Sequence, residues 1–191
     1  MLGSIADAAT TVTNVTRRVA LFRGINVGGH NKIPMAELRD EFAALGYDDI
    51  VSIIQSGNVC FSSPDDPATL GSDIRAAVKA RFAVDVPVTL RTREEISASL
   101  TAHPFPAGPV EPKLHHVVFL AEPAVADAAD LIGDHTPADY AVIGREIHVV
   151  YPDGSARSKL TVDLIDRRLH TTATARNLPT CEKIATALSA Q

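Results

Sequence analysis

The sequence predicts an α+β protein: two tandem ferredoxin-like plaits (βαββαβ) with antiparallel sheets, plus extra helices. Strand-like and helix-like apolar periods follow the order β-α-β-β-α-β over residues 17–91. A stretch with four prolines and a glycine, "HPFPAGPVEPK" (103–113), breaks that pattern. Beyond it the same order begins again. The expected organisation is therefore a disordered N-terminal tail (1–16), a first plait (17–102), a proline-rich linker (103–113) and a second plait with a C-terminal helix (114–191).

In the first plait, "RRVALF" (17–22) is an apolar run fit for a central strand. Pro34 suits the first turn of a helix; Met35, Leu38, Phe42 and Leu45 follow at spacings of three and four, and Gly46 stops it. "DIVSII" (49–54) and "NVCFSS" (58–63) are β-rich, with Ser56-Gly57 between them as a hairpin turn. Asp66-Pro67 opens a second helix, in which Leu70, Ile74, Val78 and Phe82 repeat every four residues. "DVPVTLR" (85–91) is the fourth strand, placed at an edge by Pro87. Thr92 and Glu95 form a capping box for a short helix to about residue 101. Right-handed crossovers then give the strand order 4-1-3-2 with both helices on one face.

In the second plait, "HHVVFLA" (115–121) is a strand, and 123–132 an Ala-rich helix ending at Gly133. "DYAVI" and "EIHVVY" flank the hairpin turn Gly144-Arg145. "SKLTVDLIDRRL" (158–169) is helical and "TTATA" is a short last strand. Asn177 caps a final helix with Cys181, Ile184 and Leu188 on its apolar side.

Composition narrows the function classes. A net charge of −5 speaks against non-specific nucleic-acid binding, and 5% aromatics without Trp leave little for base stacking. Cys60 and Cys181 form no CxxC pair; they read as small buried hydrophobes, which suits a reducing cytoplasm. No run approaches the roughly 18 apolar residues of a membrane span. The first sixteen residues have no basic n-region or continuous apolar h-region, so no secretory signal is read there. Adjacent His115 and His116 must point to opposite faces of a strand and the other histidines are scattered, so no metal is expected. No GxSxG, catalytic-Cys setting or paired-carboxylate motif is present, and enzyme status stays open.

Topology sets the candidate residues. The loop "LFRGINVGGHNKIP" (21–34) and the turn "QSGN" (55–58) share one end of the first sheet, on strands about 4.8 Å apart. That makes neighbours of Arg23, Asn26, Gly28, Gly29 and Lys32 with Gln55, Ser56 and Asn58. The loop is not a Walker A motif, because His30-Asn31 replaces Lys-Ser/Thr, nor GxGxxG, since its glycines fall at 24, 28 and 29. It is either a tight turn or an anion-binding loop; Arg23 and Lys32 favour the second, because a turn needs neither. In the second plait "YPDGSARSKLT" (151–161) and "TARN" (174–177) reach the same edge about 10 Å apart. Arg157, Ser158, Lys159, Arg176 and Asn177 could converge there beside two helix starts, or serve as solvated helix-end charge.

On "RVALFRGINVGGHNKIPMAELR", "IQSGNVCFSS", "YPDGSARSKLT" and "TARNLPTCEKI" the chain resembles the bacterial family catalogued as domain of unknown function 1697, over about residues 17–188. The resemblance implies two α/β plaits in tandem and brings no established activity. It places Arg23, Gly24, Asn26, Gly28, Gly29, Lys32, Gln55, Ser56, Gly57, Asn58, Ser158, Lys159, Arg176 and Asn177 on the family's motifs. One departure stands out: Leu178-Pro179 follows the Arg-Asn pair where the family usually has Trp. The expected function is binding of a small phosphate-bearing or other anionic ligand through glycine-loop amides with Arg and Lys, with no cofactor. The alternatives are an RNA accessory protein, disfavoured by the acidic charge, and an enzyme using the same basic cluster.

Overall fold

A computed structural model describes residues 15–106, 108 and 110–190. The expected N-terminal tail lies outside the described residues up to position 14. The first half contains β1 (Thr16–Phe22), α1 (Met35–Ala44), β2 (Asp48–Ser52), β3 (Asn58–Ser63), α2 (Pro67–Phe82), β4 (Val88–Thr92) and α3 (Arg93–Ala102). The second contains β5 (His115–Leu120), α4 (Ala128–Ile132), β6 (Asp139–Ile143), β7 (Glu146–Val150), α5 (Val162–Leu169), β8 (Ala173–Asn177) and α6 (Leu178–Ser189). The protein is thus α+β, with two four-stranded antiparallel sheets ordered β2-β3-β1-β4 and β6-β7-β5-β8.

Alternation along the central strands builds three cores rather than two. Ala20, Phe22, Val59 and Phe61 face α1 and α2, while Val118, Leu120, Ile147 and Val149 face α4 and α5. The residues between them, Val19, Leu21 and Cys60 from one sheet and Val117 and Phe119 from the other, meet α3 and α6 in a shared middle core. Helix α6 supplies Cys181, Ile184 and Leu188 to it and touches strands of both sheets. This is why "RVALF" and "HVVFL" are apolar at nearly every position: both faces are covered. At the far end of α6, Arg17 of β1 donates to the Ala187 carbonyl at 3.0 Å.

Several element boundaries differ from those read in the sequence, each for a local reason. The helix expected over 123–132 starts only at Ala128, because Ala124 N–H is drawn to the Gly144 carbonyl at 2.9 Å. The helix expected from Ser158 starts at Val162: the Ser158 hydroxyl takes the Leu160 N–H, and the Thr161 hydroxyl caps Leu164. Strand β4 begins after Pro87 instead of at 85, and β8 runs on to Asn177. The Thr92/Glu95 capping box is present.

Candidate functional site

Loop 23–34 is a small hairpin in its own right. Val27 and His30 form an isolated bridge, and Gly28 and Gly29 turn between them at φ 60° and 81°. Asn26 holds the loop to the neighbouring turn: its amide donates to the carbonyls of Ile33 (2.9 Å) and Gln55 (2.8 Å) and accepts from Ile33 N–H. Asn31 donates to the Gly24 carbonyl. The loop and "QSGN" therefore share one edge, as topology required. Gly57 is irreplaceable there, because at φ 73° a Cβ would stand 2.5 Å from Ile25. Gln55, Lys32, Gly28 and Gly29 lie exposed at the rim.

The second candidate group does not converge. Arg157, Ser158 and Lys159 line a cavity of about 400 Å³ with His135, Tyr151 and Asp153. Asn177 caps α6 by accepting from Thr180 N–H and hydroxyl. Arg176 leaves this edge, because its position on β8 points it at the middle of the molecule rather than at α5. Its Nε donates to Asn58, Nη1 to the Thr174 hydroxyl and Ala175 carbonyl, and Nη2 to the carbonyl of Phe22 at 2.8 Å and, more weakly, Gly57 and Ser56. The cation from the second half thus completes the loop edge of the first.

Arg91 performs the reciprocal contact. It sits one residue before the N-cap of α3, as Arg176 sits one residue before the N-cap of α6. Arg91 pairs with Val19 on β1, and Arg176 with Val117 on β5. Arg176 reaches the last carbonyl of β1; Arg91 reaches that of β5, Leu120, at 2.7 Å. Phe22 N–H binds the Gly57 carbonyl, and Leu120 N–H the Arg145 carbonyl, both at 2.9 Å. Opposite the two Nε atoms stand equivalent residues of different charge: Glu146 at 3.4 Å from Arg91, and Asn58 beside Arg176. The two halves clasp each other through a pseudo-twofold pair of buried guanidiniums, and only one has a carboxylate.

That difference shapes the electrostatics. Arg91 is flanked by Glu146 and Glu95, which oppose the effect of its burial. Arg176 makes no ion pair among the described residues, and burial pushes its pKa down to about 10. Arg176 also lines a cavity of about 290 Å³ between the halves, with Phe22, Arg23, Gly24, Val27 and Ser56 on one side and Val162, Thr174 and Ala175 on the other. Arg23 in the same wall is held by Asp163 and Asp166 of α5. Burial raises the Asp166 carboxyl above its usual range against the pull of Arg23.

Sequence reasoning gave Glu146, Asp163 and Asp166 no role and read the charge around 91–97 as a solvated helix face, whereas Arg91 is 1% exposed. It also took the histidines as scattered, whereas His103 Nδ1 lies 3.1 Å from His148 Nδ1, and His103 Nε2 lies 3.0 Å from His115 Nδ1. Pairing of β5 with β7 and the end of α3 bring them together across up to 45 positions. His103 uses both ring nitrogens, so the three rings do not aim at one point, and no group arranged to hold a metal ion occurs among the described residues. Burial raises both thiols, Cys60 to about 11 and Cys181 to about 12, so neither is a ready nucleophile. No described helix is long and apolar enough to cross a membrane.

Among known proteins, the sequence profile described as "Protein of unknown function (DUF1697)" matches residues 15–148. No functionally curated protein matches the chain. The solved structure of the conserved bacterial protein SP0830 from Streptococcus pneumoniae is similar, with 28% identity and a TM-score of 0.71. That likeness covers 92% of this chain and 99% of the other.

Proposed function

The chain belongs to the family described as "Protein of unknown function (DUF1697)", so its membership brings no reaction, and from the geometry we propose that it binds a small anionic ligand between its halves. Each half is read as a ferredoxin-like plait, on the strength of its strand order. One observation carries the binding proposal: Arg176 is a buried cation on the wall of the interdomain cavity, all its hydrogen bonds go to uncharged acceptors, and the equivalent Arg91 has Glu146. An uncompensated buried charge is costly, and a bound anion would remove that cost. Gly24 and Ser56 add a backbone free of Cβ and a hydroxyl at the mouth. The alternative of an RNA platform loses support from the burial of both faces of the central strands. Two buried free cysteines suit a reducing cytoplasm.

A thermal-shift series with inorganic phosphate, sugar phosphates, nucleotides, carboxylates and short RNA tests the proposal. At least one small anion should raise Tm saturably in the parent. The response should be lost in Val162→Phe, which fills the cavity, and kept in Lys159→Ala, which lies in the other one. If no anion raises Tm, or RNA alone does so with steep salt dependence, the proposal is wrong.

A further inference from the structure

We infer that the ligand of this cavity is a small amphipathic monocarboxylate whose single negative charge offsets that of Arg176, as Glu146 offsets that of Arg91. The inference rests on the binding proposal above and adds its chemical class.

Four observations lead there. The first is the charge balance. Arg23 is already met by two carboxylates, Asp163 and Asp166, so among the described residues the one cation of the wall without a carboxylate is Arg176. A single negative charge matches it; a phosphate dianion would add a second charge beside two aspartates. The second is the internal precedent. The other half of the molecule places a carboxylate beside the equivalent guanidinium, Glu146 Oε1 standing 3.4 Å from Arg91 Nε, and the first half has the neutral Asn58 at that position. The third is the lining. Phe22, Val27, Val162 and Ala175 line the cavity together with Ser56, Thr174 and the two arginines, which suits an anionic head on an apolar body. The fourth is size. About 290 Å³ falls just below the roughly 300–1,000 Å³ typical of ligand pockets, which fits a short organic acid and not a nucleotide.

The experiment uses the full chain and three matched probe sets in thermal-shift and calorimetric titrations. These are straight-chain monocarboxylates from propionate to hexanoate together with benzoate, the corresponding neutral amides, and inorganic phosphate with glycerol phosphate and AMP. The monocarboxylates should bind saturably, with affinity rising with apolar length until the cavity is full, and the amides should not bind. Asn58→Asp places a carboxylate inside the protein at the atom that already accepts from Arg176 Nε. It gains an ion pair with Arg176 and gives up the bond from Asn58 Nδ2 to the Ile53 carbonyl (3.0 Å), and it should weaken monocarboxylate binding at least tenfold while still folding. Val162→Phe should weaken it by a similar factor.

If phosphate compounds bind and monocarboxylates do not, the ligand class is wrong while the anion site stands. If none of the probes binds, both fail, and Arg176 serves only to hold the halves together. Monocarboxylate binding at parental affinity in both Asn58→Asp and Val162→Phe would place the ligand elsewhere and overturn the inference.

Discussion

Arg91 and Arg176 are the same residue in the same place, and their neighbours make them energetically different. Removing one partner of a buried ion pair leaves the other charge stranded, which costs about 3–5 kcal/mol. Arg91→Met strands Glu146, whose side chain is 14% exposed. Arg176→Met strands neutral acceptors, among them Asn58, the Thr174 hydroxyl and the Phe22 carbonyl, and removes an uncompensated charge, so about 1–3 kcal/mol is expected. Urea unfolding should therefore rank Arg91→Met as the more damaging of the two. Neither role was legible in "VTLRT" or "TARN". A strand residue's face follows from register, and what covers that face depends on contacts far away in sequence. The nearness of Asn26 to Gln55 was legible, because antiparallel neighbours in a 4-1-3-2 sheet leave no other place for the two loops.

At the scale of elements, periodicity located most helices and strands, and the errors fell where side chains compete with the backbone for hydrogen bonds. Ser158 and Thr161 postpone α5, and the β6–β7 turn postpones α4. The junction of α3, β5 and β7 carries the next prediction. Three neutral imidazoles in a row have a preferred proton arrangement. His148 Nδ1 donates to His103 and leaves its buried, unpartnered Nε2 as a bare acceptor; the reverse order would bury an unpaired N–H. Protonating His148 or His103 forces that orphan donor. Burial accordingly lowers His148 from 6.5 to about 4, with the charge of His103 adding to it. Below pH 6.5 the unfolded chain binds a proton that the folded chain refuses until about pH 4. This stabilising contribution is thus full above 6.5 and is lost as the pH falls through that window. Urea midpoints measured at pH 7 and pH 5 should drop in the parent, and the drop should shrink in His148→Leu; an equal drop in both proteins would refute the assignment.

For the whole molecule, the middle core decides the behaviour. Each sheet buries its second face there, against the other half and against α3 and α6, so separation would expose Val19, Leu21, Cys60, Val117 and Phe119 together. Both guanidinium clasps would break as well. Unfolding followed by circular dichroism and by calorimetry is expected to show one transition, with calorimetric and van't Hoff enthalpies equal; two resolved transitions would mean that the halves are independent. Apolar runs in both central strands fit cover on both faces, whereas the sequence reading placed both helices of the plait on one face only. The identity of the cover was not legible, since α6 follows the second sheet in sequence and packs on both.

The bond from Arg17 to the Ala187 carbonyl spans 170 positions and ties the start of β1 to the end of α6. The described chain is therefore a ring in space, interrupted once between these two elements and crossed once by the proline-rich segment between α3 and β5. A circularly permuted chain, opened at the proline-rich segment and closed beside Arg17, would present the same three cores and the same pair of clasps with its halves in the opposite order.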